Sequence, residues 1–383
     1  MFNASHIMRV ADRFALKRGG ELAEVQLAYE TWGQRNASDT NTILLFGGLS
    51  PSAHVCTSEE DPSPGWWEWM VGAGKPLDTD AYHVICVNPL GSCFGSTSPA
   101  SINPATGKPY GPDFPELSIE DMARSARALV NLLGIQKLHT VMGVSLGGMT
   151  ALAYAIEFAD EVEQLVSVSS AMRAEATAIA IRSLQREIIR NDPAWQQGYY
   201  LFGSGPHDGM RMARKLGLIS YRSADEWRQR FGHERVAAGV TPSEEFSPEF
   251  QVESYLDANA RKFAGCFDAN CYLYLSRSMD WFDIADFAAT DEAALARITV
   301  RRALVVGVES DTLYPIHQQR ALADLLCEQG HDVEFVAMPS IQGHDAFLVD
   351  RERFAPVLER FFTDDVLLTE AAPYQVSQCA AVS

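Results

Sequence analysis

The chain has 383 residues, 47% of them hydrophobic and 21% charged, a balance that excludes a disordered or fibrous protein and leaves material for a large core. Lysine and arginine number 31 against 50 aspartates and glutamates, a net charge of −19 that argues against nucleic acid or an anionic membrane surface as partner. The chain lacks an apolar run of membrane-spanning length, and the opening MFNASHIMRVADRFALKRGG lacks the apolar stretch of a secretory signal, so a soluble, cytoplasmic protein is expected.

In chain order, β-branched or apolar runs predict strands at 41–46, 82–88, 139–143, 163–170, 301–308 and 333–339. They are apolar throughout, as strands covered on both faces are. A helix is expected over 118–133, where Ser118 can cap the first turn and Glu120 and Asp121 suit its positive end. Strand and helix alternate, which predicts a mostly parallel α/β sheet.

The alternation stops after Ser170 and resumes near Arg301. Residues 171–300 read as helices, far too many for an ordinary crossover, and are expected to form an inserted lid between core segments 1–170 and 301–363. From Met172 to Arg235, eleven basic residues accompany seven acidic ones; they either receive an anion or solvate a surface. The stretch 364–383 is small and polar, and a loose tail is expected there. Seven cysteines (Cys56, Cys86, Cys93, Cys266, Cys271, Cys327, Cys379) lie scattered without a C-x-x-C pair, so reduced thiols are expected.

The sharpest local signal is HTVMGVSLGGMTALAYA, in which a strand ends in Gly143-Val144-Ser145-Leu146-Gly147 and runs into an alanine-rich helix. This is the nucleophile elbow of the α/β-hydrolase fold. A tight turn lifts the serine out of the fold, and the flanking glycines let backbone pass where a Cβ would clash. A serine hydroxyl needs an imidazole to take its proton and a carboxylate to orient that imidazole. Asp311 follows the run ending at Val308 and His344 follows the last strand-like run, so Ser145, Asp311, His344 is the chain order this fold requires. Glu309 lies too early in its loop, and His54 is the rival base but precedes the elbow. His233-Glu234 lacks the second histidine of H-E-x-x-H, and no metal is expected. The oxyanion requires two backbone donors; the amide of Leu146 and, from FGGLSPSAHV, that of Leu49 are the candidates. These residues by themselves reach an activated serine, and esterase, peptidase and transferase chemistry all remain open.

The stretches LAYETWG, GWWEWMVGAGKPLDTDAYHVICVNPLGSCFGSTSPASINPATGKPYG, GVSLGGMTALAYA, MARKLGLISYRS, NCYLYLSRSMDWFD and QGHDAFLVD resemble the homoserine and serine O-acyltransferases of the α/β-hydrolase superfamily. The resemblance covers about residues 27–362. It implies transfer of an acyl group from acyl-CoA to Ser145 and then to an amino-acid hydroxyl, with CoA ester as co-substrate, no bound cofactor, and a homodimer working in cysteine or methionine biosynthesis. It also implies that Arg214 holds the acceptor's carboxylate and Asp345 its ammonium. Gly47-Gly48-Leu49-Ser50-Pro51 stands where homoserine acetyltransferases carry H-A-L-T-G, which implies that Gly48, Leu49, Ser50 and Pro51 bear on the choice of acceptor, and GLSP with LGSCFGST is more similar to the serine O-succinyltransferases. The succinyl carboxylate then needs a cation, and Arg182 and Arg186, on one helix face, are the two candidates. Homoserine O-acyltransferase and plain ester hydrolase are the alternatives.

Overall fold

The computed structural model describes residues 6–201, 203–236 and 247–363, and the backbone of 375–379. The chain opens with strands β1 (His6–Ala15) and β2 (Glu21–Trp32), an antiparallel hairpin. Strands β3 (Thr42–Phe46) and β4 (His83–Val87) follow, then the small β5–β6 hairpin (Ile102–Asn103, Lys108–Pro109), helix α1 (Ile119–Leu132), strand β7 (Leu138–Val144), helix α2 (Leu146–Glu157) and strand β8 (Val162–Val168). After a long helical stretch come β9 (Arg302–Val308), α9 (Ile316–Glu328), β10 (Asp332–Met338), α10 (Ala346–Val349), α11 (Arg351–Thr363) and β11 (Gln375–Cys379). The sheet order is β1-β2-β4-β3-β7-β8-β9-β10-β11. From β4 to β10 the neighbours are parallel.

All six expected strands are present, and the reason they read as uninterrupted apolar runs is visible in β3. Leu44 and Phe46 enter the core on one face of the sheet, while Ile43 and Leu45 enter the core on the other. Helix α1 starts as expected, with Asp121 closing a reciprocal cap: its amide donates to Ser118 Oγ at 3.2 Å, and the Ser118 amide donates to its carboxylate at 2.9 Å. The N-terminal hairpin was not anticipated. Exposed residues interrupt β1, and it becomes a strand because β2 pairs with β4 (Tyr29 opposite Val87) and leaves an edge to cover.

Between β8 and β9 lie α3 (Ala176–Asn191), α4 (His207–Tyr221), α5 (Ala224–Phe231), α6 (Gln251–Ala264), α7 (Ala269–Trp281) and α8 (Asp291–Leu295), a run of helices inserted between two neighbouring strands of the sheet. Its two roots are joined by Arg173, which pairs with Asp283 at 2.9 Å and also with Asp291.

Two expectations need correction. Part of the stretch expected to be loose is a strand: β11 pairs antiparallel along β10, with Val333 opposite Cys379. The open backbone edge of β10 recruits it, and the rest of 364–383 lies outside the described residues. The cysteines are also not all reduced, since Cys327 on α9 is disulfide-bonded, whereas Cys56, Cys86, Cys93, Cys266 and Cys271 are free. Spacing along the chain carries no information about which sulfurs the fold brings together. Among the described residues no helix is long and apolar enough to cross a membrane.

Candidate active site

Ser145 caps the N-terminus of α2 with φ 54° and ψ −119°, a conformation few non-glycine residues adopt. Close packing holds it there. The Ser145 amide donates to the Val168 carbonyl at 3.0 Å, and Ser170 Oγ donates to the Ser145 carbonyl at 2.7 Å. A Cβ on Gly147 would sit 2.2 Å from the Phe46 carbonyl oxygen, so glycine is what allows β3 and α2 to meet beneath the nucleophile.

His344 lies in a short turn (Gly343–Asp345) after β10. Its Nε2 is 2.9 Å from Ser145 Oγ, and its Nδ1 is 2.8 Å from an oxygen of Asp311. The other Asp311 oxygen accepts the amides of Leu313 and Tyr314 at 2.8 and 2.9 Å. With the carboxylate saturated in this way, Nδ1 donates to Asp311 and Nε2 is left to accept the serine proton. Burial by itself lowers the pKa of His344. The charge and hydrogen bond of Asp311 act the other way, Asp345 adds to them, and the net direction is up. The structure therefore brings the three expected residues together, all nearly buried.

It also disposes of the rivals. His54 is 2.9 Å from the Glu30 carboxylate and 2.8 Å from the Ser63 carbonyl, with both ring nitrogens engaged away from the serine. Glu309 is exposed to solvent. Among the described residues, no cluster of metal-ligating side chains occurs.

A cavity of about 120 Å³ opens beside Ser145 and His344. Gly48, Leu49, Ser50 and Pro51 are among the residues that line it. A Cβ built on Gly48 would lie 3.9 Å from that of Ser145, so this loop passes in contact with the nucleophile. Among the described residues the Leu49 amide has no backbone hydrogen-bond partner, and the Leu146 amide opens α2. First-turn amides have no partner within their own helix.

Three charged side chains reach the same cavity: Arg182, Arg214 and Asp345. Arg214 lies over the rings of Phe263 and Tyr221, at 4.4 and 5.6 Å from their centroids, and no carboxylate pairs with it among the described residues. Asp345 is held 3.3 Å from Arg222 Nε. The two arginines offered as alternatives part company here. Arg182 lines the cavity, whereas Arg186 does not, because its guanidinium turns to Asp280 at 2.6 Å and Ser276 at 2.9 Å. Sequence reasoning missed Tyr221, Tyr272 and Leu313, which are among the other lining residues, and Tyr314, whose ring lies 5.4 Å from that of His344. Tyr221 and Tyr272 fall in MARKLGLISYRS and NCYLYLSRSMDWFD, stretches conspicuous as whole phrases while nothing set these tyrosines apart from core aromatics.

Fold and site together define an α/β hydrolase with a hydrogen-bonded serine, histidine and aspartate, and the sequence pattern of the α/β hydrolase fold family matches residues 41–350. The chain is 54% identical over 362 residues to a serine O-succinyltransferase of Litchfieldella anticariensis, covering 94% of this chain and 99% of that one. It is 51% identical to an L-serine/homoserine O-acetyltransferase of Streptomyces lavendulae, covering 94% and 97%. The crystal structure of homoserine O-acetyltransferase from Bacillus anthracis superimposes with a TM-score of 0.84 at 29% identity, covering 93% and 96%. The chain belongs to the homoserine and serine O-acyltransferase family of the α/β hydrolases, and it is an enzyme of the acyltransferase class.

Proposed function

We propose that the protein is a serine O-succinyltransferase, converting succinyl-CoA and L-serine to O-succinyl-L-serine and CoA. Ser145 Oγ attacks the thioester carbonyl as His344 Nε2 takes its proton, with the Leu49 and Leu146 amides receiving the oxyanion. The tetrahedral intermediate collapses, the C–S bond breaks, and His344 returns the proton to the departing CoA thiolate. In the second half, His344 deprotonates the acceptor hydroxyl, which attacks the succinyl ester. Ser145 leaves with the proton from His344, and the cycle closes with atoms balanced.

The observation that carries this reading is the placement of charge around Ser145. Arg214, which has no acidic partner among the described residues, and the carboxylate of Asp345 line one small cavity, which suits the carboxylate and ammonium of a free amino acid. A zwitterion seated there keeps its hydroxyl where water would otherwise reach the acyl-enzyme. The names of the relatives and the cation Arg182 on the cavity wall support succinate as the group transferred.

Released thiol, measured for succinyl- and acetyl-CoA against serine and homoserine, tests the reading. Succinyl-CoA with serine gives the highest kcat/KM; full-rate release without an amino acid would make the protein a hydrolase instead. Homoserine is the second reading, because one methylene is worth only about 1–3 kcal/mol of discrimination and the Streptomyces lavendulae relative is named for both acceptors. Arg214→Gln is expected to raise KM for serine roughly a hundredfold while the acyl-enzyme burst with succinyl-CoA keeps its amplitude. Loss of the burst would place Arg214 on the donor side.

The same reading puts the enzyme in the cytoplasm, in cysteine biosynthesis, as a homodimer. Half-exposed Leu184, Met212 and Ile219 on α3 and α4 offer apolar surface to a second copy. Sedimentation at micromolar concentration distinguishes dimer from monomer.

A further inference from the structure

Beneath the cavity wall lies a buried group of three charges. Asp280, on α7, has a side chain only 7% exposed and is shared by two guanidiniums of α3. Arg182 Nε donates to one of its oxygens at 2.6 Å, and Arg186 Nη2 lies 2.6 Å from the other. Arg182 Nη1 also donates to the Tyr314 hydroxyl at 3.3 Å, and Arg186 Nη1 to Ser276 Oγ at 2.9 Å. The two arginines are 4% and 9% exposed, and among the described residues no other carboxylate pairs with either. Two positive charges therefore face one negative charge in a place where uncompensated charge is costly. Among the described residues two atoms of the group are buried with no hydrogen-bond partner, Arg182 Nη2 and Asp280 Oδ2, the latter held only by its ion pair with Arg186; of the two arginines, Arg182 is the one that lines the cavity.

We infer that Arg186 is a specificity-determining positioning residue: by serving as counter-ion to Asp280 it leaves the charge of Arg182 unneutralised, and the terminal carboxylate of a dicarboxylic acyl donor completes the group. The inference rests on the succinyl-donor reading above and assigns different tasks to two arginines that look equivalent in the sequence. Asp280 holds Arg182 through Nε, which fixes the guanidinium and leaves Nη2 without a partner. Arg186 touches no substrate. Without it, Asp280 would neutralise Arg182, and the donor carboxylate would meet a group of zero net charge. An acetyl group carries no carboxylate and is indifferent to this count.

The test compares kcat/KM for succinyl-CoA and acetyl-CoA, with serine saturating, in the full-length enzyme and three variants. Arg186→Gln lowers the succinyl-to-acetyl ratio roughly 10- to 100-fold, with acetyl-CoA use changed less than about threefold. Arg186→Lys keeps the charge and keeps the ratio. The double variant Arg186→Gln with Asp280→Asn restores the single surplus charge, and its ratio recovers to within about fivefold of the wild type. A purely structural role for Arg186 predicts the reverse, with the double variant worse than the single one on both donors. Equal losses on both donors in Arg186→Gln, or no recovery in the double variant, overturn the inference. Should Arg186→Gln not fold, Asp280→Asn decides: it raises the surplus and maintains or increases the ratio, and a tenfold fall overturns the charge account. A wild-type enzyme that ignores succinyl-CoA would sink the donor reading itself, an outcome separate from any of these.

Discussion

Asp311→Asn is expected to lower kcat about ten-thousandfold with little change in KM for either substrate. One oxygen of Asp311 is fully engaged by the amides of Leu313 and Tyr314, and the other faces His344 Nδ1 at 2.8 Å. An amide there either turns its NH2 toward the imidazole or gives up the backbone bonds. In the first case Nδ1 must accept, Nε2 carries the hydrogen, and Ser145 loses its base. The pH dependence moves as well. In the wild type the Asp311 charge outweighs burial and holds the His344 pKa above its ordinary value, so the acid limb of kcat/KM lies above about pH 6.5. In the variant the burial effect is left with less opposition, and the acid limb of the residual activity shifts to lower pH. Stability follows the opposite slope. A folded-state pKa that is raised favours the protonated form in the native protein, so this contribution is fully present below about pH 6.5 and disappears as pH rises through the folded value. Thermal melts across this window should show that dependence in the wild type and a weaker one in Asp311→Asn. An unchanged pH–rate profile in the variant would mean that Asp311 does not orient His344.

Gly143→Ala is expected to destabilise the protein by about 3 kcal/mol or more and to abolish activity in whatever folds. A Cβ there would lie 1.9 Å from the Gly147 carbonyl oxygen and 2.5 Å from the Gly148 amide nitrogen. These are backbone atoms of the turn that carries Ser145, so relief requires moving the nucleophile away from His344. Gly107 provides the comparison: it has φ +68° and nothing within 4 Å of a built Cβ. Gly107→Ala therefore meets only the backbone strain, about 1 kcal/mol, and leaves kcat unchanged. Chemical denaturation and thiol release on the two variants read both effects. Equal stability losses would show that close packing at the elbow is not what requires glycine at 143.

The sequence alone determined the parts of this protein written in contiguous residues. The six central strands were legible because a strand buried on both faces is apolar at successive positions, as in Ile43 to Phe46 of β3 and Ala303 to Val306 of β9. The elbow was legible because strand, turn and helix follow one another without a break around Ser145. Asp311 and His344 were found because each lies just past a strand, in the only order the fold accepts. The tertiary structure decided what depends on partners far along the chain. Arg182 and Arg186 are four residues apart on one helix, and nothing local distinguishes them; Asp280, 98 residues on from Arg182, and Tyr314, 132 residues on, set their different tasks. His54 was a plausible base until Glu30 from β2 and the Ser63 carbonyl were found to occupy it. The N-terminal hairpin, the edge strand β11 and the bonded Cys327 belong to the same category. Local pattern reports whether a residue faces core or water, while the choice of neighbour is a long-range packing outcome with no period in the sequence to reveal it.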